Sequence, residues 1–167
     1  SAASVVYKRQ AYITPRGSWY QYSWKGSREK SGGVMMNLGI HFFDLVLWLF
    51  GPAEHADLHL NDNDRAAGTI ELERACVKWF LSTSRDDLPR SCVEEGKPSF
   101  RSIAIDGCPL EFSTGFPELH NRVYSDILSG GGYGIDDARP AIDLVHRLQS
   151  QPLVVSTDRS HPTLKFC

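Results

Sequence analysis

The run S-G-G-V-M-M-N-L-G-I-H-F-F-D-L-V-L-W-L-F-G, from Ser31 to Gly51, limits what this chain can fold into more than any other segment. Its apolar residues recur at helical spacing, and at about 100° per residue Asn37, His41 and Asp44 fall on one stripe of the helix. Val34, Met35, Met36, Ile40, Leu45, Val46, Leu47 and Trp48 surround that stripe. A helix this apolar is expected to be buried, and burying a polar side chain without a partner costs about 2 kcal/mol or more. The stripe is therefore either a hydrogen-bonded structural network or the wall of a site. Gly39, on the opposite face, has no side chain and predicts close approach of another backbone there.

With 167 residues, 41% of them hydrophobic, the chain is long enough for one well-cored domain, 1–167, and too short for two. A formal net charge of -2 and a pI near 6.3 supply no global field for nucleic acid or an acidic membrane, so neither is expected as a partner. No signal-peptide pattern opens the chain, and the apolar stretch Leu38 to Phe50 is broken by His41 and Asp44 and reads as too short to span a bilayer. The expected location is cytoplasmic. Cys76, Cys92, Cys108 and Cys167 form no C-x-x-C pair, which suggests ordinary thiols rather than a zinc or redox site. The opening Ser-Ala-Ala-Ser, without an initiating Met, is expected of a piece of a longer protein.

Val5 to Ile13 alternates and predicts a strand, which the turn at Pro15-Arg16-Gly17 ends. The aromatic and basic segment Ser18 to Lys30 lacks clean periodicity and reads as a loop with room for a short strand. After the helix, Gly51-Pro52 is a stop, and the pattern changes from period 3.6 to period 2. Strands are expected at His55 to Leu60, Gly68 to Leu72, Cys76 to Ser84, Phe100 to Asp106 and Leu110 to Ser113, with short polar turns that favour consecutive antiparallel pairing. Arg85 to Pro98 reads as an exposed excursion. Pro117 to Ser129 and Asp136 to Gln149 read as helices around a Gly130-Gly131-Gly132-Tyr133-Gly134 break, and Leu153 to Ser156 as an edge strand or a tail. This order favours an α+β fold, an open, mostly antiparallel or mixed sheet with helices on one face. Its other face then needs covering, and a homo-oligomer through that face is expected.

His41 with Asn37 and Asp44 is the best candidate for chemistry, because imidazole exchanges a proton near neutral pH and a neighbouring amide or carboxylate can fix its tautomer or hold a substrate hydroxyl. No second His or Cys stands at ligand spacing, so no metal site is expected. The loop from Arg16 to Lys30 mixes Arg16, Lys25, Arg28 and Lys30 with Trp19, Tyr20, Tyr22 and Trp24. Cations pair with phosphate and aromatics stack on sugars or bases, so such a loop can grip a nucleotide or a carbohydrate; it can equally be an aromatic cover over the helix. The glycine cluster lies between helices and lacks G-x-G-x-x-G, so it reads as a helix stop and leaves no cofactor-binding fingerprint in the chain.

The run from Ser31 to Gly51 resembles the signature G-G-x-x-x-D-x-G-x-H-x-x-D-x-x-x-W-x-x-G of the glucose-fructose oxidoreductase/inositol dehydrogenase (Gfo/Idh/MocA) family. The ending G-Y-G-I-D-D-A-R-P-A-I-D-L-V-H-R-L, from Gly132 to Leu148, looks like that family's closing helix. The string R-G-S-W-Y-Q-Y-S-W-K-G-S-R-E-K-S-G-G followed by N-L-G-I-H-F-F-D is similar to the branch that oxidises the 3-hydroxyl of UDP-N-acetylglucosaminuronic acid for lipopolysaccharide O-antigen sugars. Asn37 stands where the broad family has Asp. The resemblance implies the C-terminal substrate-binding and oligomerisation domain of a two-domain NAD(P)-dependent oxidoreductase. Its N-terminal Rossmann domain, with the nucleotide fingerprint and a lysine, is absent here. It further implies His41 as catalytic residue, Asn37, Arg16, Trp19, Tyr20, Ser23, Trp24 and Lys25 as substrate-binding, no cofactor binding by this piece alone, and little activity without its other half. Another sugar or inositol as substrate, or a noncatalytic assembly domain, are the alternatives.

Overall fold

A computed structural model describes residues 6–105, 108–111, 118–155 and 162 with its neighbour 161. The first strand, β1 (Val6–Ile13), leads into α1 (Trp19–Tyr22), a 3-10 turn at Trp24–Gly26 and α2 (Arg28–Ser31). A π-helical turn, Met35–Gly39, then runs directly into α3 (Ile40–Phe50). Three strands follow, β2 (Ala53–Asn61), β3 (Arg65–Leu72) and β4 (Ala75–Ser82). A 3-10 turn at Arg85–Asp87 and α4 (Arg90–Glu94) lead to β5 (Phe100–Ile105) and β6 (Cys108–Glu111), and α5 (Leu119–Leu128) and α6 (Ile135–Ser150) close the order. The strands fall within three residues of the expected ones at either end. Val5, Asp106, Ser113, Pro117 and Ser156, at the ends of expected elements, and Cys167 lie outside the described residues.

The six strands form one mixed sheet in the order β2-β3-β4-β1-β5-β6. Consecutive antiparallel pairing holds for β2 with β3, β3 with β4 and β5 with β6. It fails at β1, which lies between β4 and β5, parallel to the first (Gln10 opposite Trp79) and antiparallel to the second. A parallel neighbour needs a long crossover, and here the loop and the long helix supply it. The excursion between β4 and β5 is long because it must pass β1. Contrary to expectation it is anchored: Leu88 and Cys92 are buried, and Asp87 accepts hydrogen bonds from Arg65 Nε and Ser82 Oγ.

Registers show which side chains share a face, because those directly opposite in a ladder project together. Ala56, Leu58, Ala66, Ile70, Leu72, Ala75, Val77, Trp79 and Leu81 turn toward the helices and pack with Val34, Met35, Leu38, Phe42, Phe43 and Val46 and with Leu144, Val145 and Leu148 of α6. The Phe43 and Trp79 rings meet edge to face at 5.2 Å. Gly39 belongs to this seam: a Cβ there would lie 2.8 Å from Leu81 Cδ1 and 2.7 Å from Phe43. The neighbour that needs the space is thus a side chain of β4, not another backbone. Helices on one face of the sheet are what the sequence order predicts.

The far face differs from its expectation. Val77, Trp79 and Leu81 all point to the helices, so β4 sends only Phe80 to the far face with Cys76 and Lys78 around it. Phe80 clusters with Ile13, Ala67 and Leu88 and stacks against His161, with ring centroids 5.8 Å apart. Burial, with the charges of Arg9 and Lys78, pushes His161 down to about 4, so it stacks there as the neutral imidazole at neutral pH. The face expected to need covering thus carries a small apolar cluster among charged residues. Residues 153–155 form no strand, although Val154 N–H donates to Leu58 C=O at 2.8 Å along the β2 edge.

The helical stretch Arg28–Phe50 is longer than the apolar run Leu38 to Phe50 and is, by length and composition alone, long and apolar enough to cross a membrane. Gly32, in the left-handed conformation at φ 76°, interrupts it, and its inward residues form the core described above. It is the central core helix of this fold. The closing helices divide: α6 buries Ala141, Leu144, Val145 and Leu148, whereas α5 is exposed along its whole length despite Leu119, Val123 and Ile127 at helical spacing.

Candidate active-site surface

The first member of the polar stripe, Asn37, is tied to the aromatic loop. Arg16 N–H donates to the Thr83 carbonyl at 3.0 Å, which carries the chain from β1 past the end of β4 and into α1. Ser23 Oγ donates to the Tyr20 carbonyl at 2.8 Å and closes α1. Ser27 Oγ accepts from Lys30 N–H at the start of α2. Beyond it, Ser31 Oγ lies 2.8 Å from the Lys25 carbonyl and 2.9 Å from the Ser27 carbonyl and accepts from Gly33 N–H. From the helix side, Asn37 Nδ2 donates toward the Lys25 carbonyl at 3.1 Å, Ser31 Oγ at 2.8 Å and the Gly33 carbonyl at 2.9 Å. Gln149 of α6 holds the Gly32 carbonyl from the other side. The segment is compact helical turns tied to α3, not a loop with a strand.

Asn37 sits in the π-turn, and the wide turn breaks the 100° phase on which the three-residue stripe was predicted. Asn37 faces the loop and is half-buried; His41 and Asp44, on α3, are exposed. The expectation of a buried stripe therefore holds only at its first member. The reason is layering: the sheet and α6 cover the inner side of α3, and no element among the described residues lies over its outer side. His41 and Asp44 have no hydrogen-bond partner among the described residues, and Trp48 on the same side is 76% exposed.

Of the loop side chains, Trp19 and Trp24 are more than half exposed, and Arg16, Trp19, Trp24 and Lys25 all reach solvent. Lys25 Nζ stands 5.9 Å from the Trp24 ring centroid. Tyr20 turns inward under Trp19 in an edge contact at 5.8 Å, and its hydroxyl is buried with no partner among the described residues. Burial raises the phenol above its ordinary value, against the opposing charge of Arg16, so it stays protonated. Tyr20 and Ser23 thus support the loop from within, while Arg16, Trp19, Trp24 and Lys25 form its outer surface. Ser31 and the Lys25 and Gly33 carbonyls escaped sequence reasoning. Two of these three are backbone groups, and the only available signal was the Ser-Gly-Gly preceding the helix.

Among the described residues no three His, Cys, Asp or Glu side chains converge as metal ligands would. The glycine cluster does not fit a dinucleotide pyrophosphate. It precedes α6, whose first turn carries Asp136 and Asp137, and Asp137 Oδ2 already accepts from Gly134 N–H at 2.7 Å. Two carboxylates at a helix N-terminus occupy the place where a phosphate would bind and repel it.

Residues 4–90 match the oxidoreductase family, C-terminal alpha/beta domain. An uncharacterized oxidoreductase of Synechocystis sp. is 31% identical over 85 residues, which is 45% of this chain and 21% of that protein. The WlbA (WbpB) dehydrogenase from Thermus thermophilus, solved with NAD and UDP-GlcNAcA, superposes with a TM-score of 0.89 at 42% identity, covering 96% of this chain and 52% of that one. The WlbA dehydrogenase from Bordetella pertussis shares the fold at 17% identity and a TM-score of 0.65, covering 92% of this chain and 56% of that one. The chain thus spans about half the length of these solved structures. It belongs to the Gfo/Idh/MocA oxidoreductase family and is its C-terminal alpha/beta domain.

Proposed function

We propose that this chain is the substrate-facing C-terminal half of an NAD-dependent dehydrogenase that oxidises the 3-hydroxyl of UDP-N-acetylglucosaminuronic acid, a step toward lipopolysaccharide sugars. The observation that carries the reading is an exposed imidazole, His41 at the start of α3, four residues after Asn37, whose amide ties the loop bearing Arg16, Trp19, Trp24 and Lys25 to the preceding π-turn. A solvated structural face has no need of such a combination. A sugar nucleotide uses all of it, with cations for its diphosphate, aromatic faces for its rings and a proton acceptor for the reacting hydroxyl. The likeness to the Thermus WlbA, solved with NAD and UDP-GlcNAcA, supports the same substrate class.

Oxidation of a secondary alcohol removes a hydride from carbon and a proton from oxygen. Bound nicotinamide supplies the hydride acceptor, and an N-terminal Rossmann half, matching the uncovered length of the relatives, supplies its phosphate site. This chain's part is to orient the sugar and to take the hydroxyl proton on an imidazole nitrogen of His41, within reach of the outer surface of α3. A cytoplasmic location is part of the proposal, and the buried free thiol of Cys92 agrees with a reducing compartment. So is a homo-oligomer through the far face of the sheet, where the registers set Arg9 and Lys78 on the same face as Glu71 and Asp57, so that both signs of charge are present for an isologous contact. Light scattering of the intact enzyme tests the latter, and a monomer at high micromolar concentration would reject it.

The test of the main reading is His41→Ala in the intact oxidoreductase, assayed with UDP-N-acetylglucosaminuronic acid and NAD. Loss of a general base lowers turnover by about 10²–10⁴-fold, with an unchanged circular dichroism spectrum. A rise in KM alone would make His41 an orienting residue. Near-normal turnover would move the proton transfer to a lysine of the other half.

A further inference from the structure

Asn37 stands where an acceptor-only side chain would fail. The amide nitrogen faces two backbone carbonyls, those of Lys25 and Gly33, and carbonyls only accept, so the atom turned to them must be a donor. The third group, Ser31 Oγ, can give its own hydrogen to the Lys25 or Ser27 carbonyl and is then itself an acceptor toward Asn37. All three acceptors lie between residues 25 and 33, twelve to four positions before Asn37, so the amide joins the end of the aromatic loop to the first turn of the long helix. An aspartate at this place would set a carboxylate oxygen against two carbonyl oxygens.

We propose that Asn37 is a positioning residue: its amide nitrogen clamps the Lys25 to Gly33 backbone onto the helix and so fixes Trp24 and Lys25 relative to His41, and this acceptor set is what requires an amide rather than a carboxylate here. The proposal deepens the sugar-nucleotide reading and rests on it for its kinetic consequence. Its structural half stands alone. Ser31 is the second member of the clamp, since its hydroxyl bridges the amide and the loop carbonyls. With the nitrogen so engaged, Asn37 has its Oδ1 to offer a substrate hydroxyl and no free N–H.

The experiment uses two variants and two readouts. In Asn37→Asp, amide hydrogen exchange across Trp19 to Gly33 accelerates by about tenfold or more, more than in Asn37→Ala, because the carboxylate repels what the amide bound. Exchange in β3 and β4 stays as in the parent. In the intact oxidoreductase, KM for UDP-N-acetylglucosaminuronic acid rises about tenfold while kcat changes by less than about threefold. Should Asn37→Asp fail to fold, Ser31→Ala decides, with the same pattern at smaller amplitude and restoration by Ser31→Thr, which keeps the hydroxyl. Unchanged exchange in the loop would overturn the clamp. Faster exchange with an unchanged KM would overturn its role in positioning. If the intact enzyme does not turn over this sugar nucleotide at all, the functional reading falls, and the exchange measurement still decides the clamp.

Discussion

The two sides of the helix ending at Phe50 obey different rules. On the inner side Val34, Met35, Leu38, Phe42, Phe43 and Val46 are at most 4% exposed and meet the sheet and α6 in a close-packed seam. On the outer side His41 and Asp44 are exposed and Trp48 is 76% exposed, although the sequence is apolar enough on both sides to suggest full burial. The difference teaches that the inner side is explained by this chain alone and the outer side is not. An apolar helix with one partly polar side left exposed among the described residues is what the proposed N-terminal half would cover, and the half-length match to the solved relatives agrees with that proposal.

The contrast predicts unequal responses to truncation. Phe43→Ala removes a fully buried ring from between Phe42, Trp79 and the Gly39 seam and is expected to destabilise this chain by about 3–5 kcal/mol in urea denaturation. Trp48→Ala removes a larger ring from the outer side and is expected to change stability by less than about 0.5 kcal/mol. Equal losses would mean that the outer side is already packed and that the contrast is wrong. A second comparison lies within the inner side. Gln10, beside Trp79 on β1, is 1% exposed, and neither polar atom of its side chain has a partner among the described residues. Burying that amide costs about 1–3 kcal/mol, so Gln10→Met should raise the denaturation midpoint; a lower one would show that the amide is bonded.

How much of this was legible in the sequence depends on whether the signal is local. The long helix, the β2-β3-β4 meander and α6 follow from periodicity and short turns, since neighbours in sequence pair in space. The insertion of β1 between β4 and β5 had no such signal, because nothing in the alternation from Val6 to Ile13 names a partner some seventy residues away. The composition of the far face was not legible from element order alone, because strand alternation gives Val77, Trp79 and Leu81 of β4 to the helices and leaves Phe80 to the far face. In the site, His41 and the loop cations and aromatics were legible as residue types. The inward turn of Tyr20 was not, because an aperiodic aromatic segment does not encode which ring packs. Nor was the engagement of Asn37, whose partners are mostly backbone carbonyls and so leave no mark in side-chain identity.

The central claim is that the outer side of the helix is a site completed by the other half of the enzyme and its substrate. Carbethoxylation of histidine, mapped by mass spectrometry, reads it directly. His41 should be labelled readily in this chain and in the exposed position the structure gives it, and should become protected in the intact oxidoreductase when NAD and UDP-N-acetylglucosaminuronic acid are both present. His146, exposed on α6 and away from the far face of the sheet, serves as the internal standard whose labelling stays constant. Equal labelling of His41 in the chain and in the liganded enzyme would contradict the account.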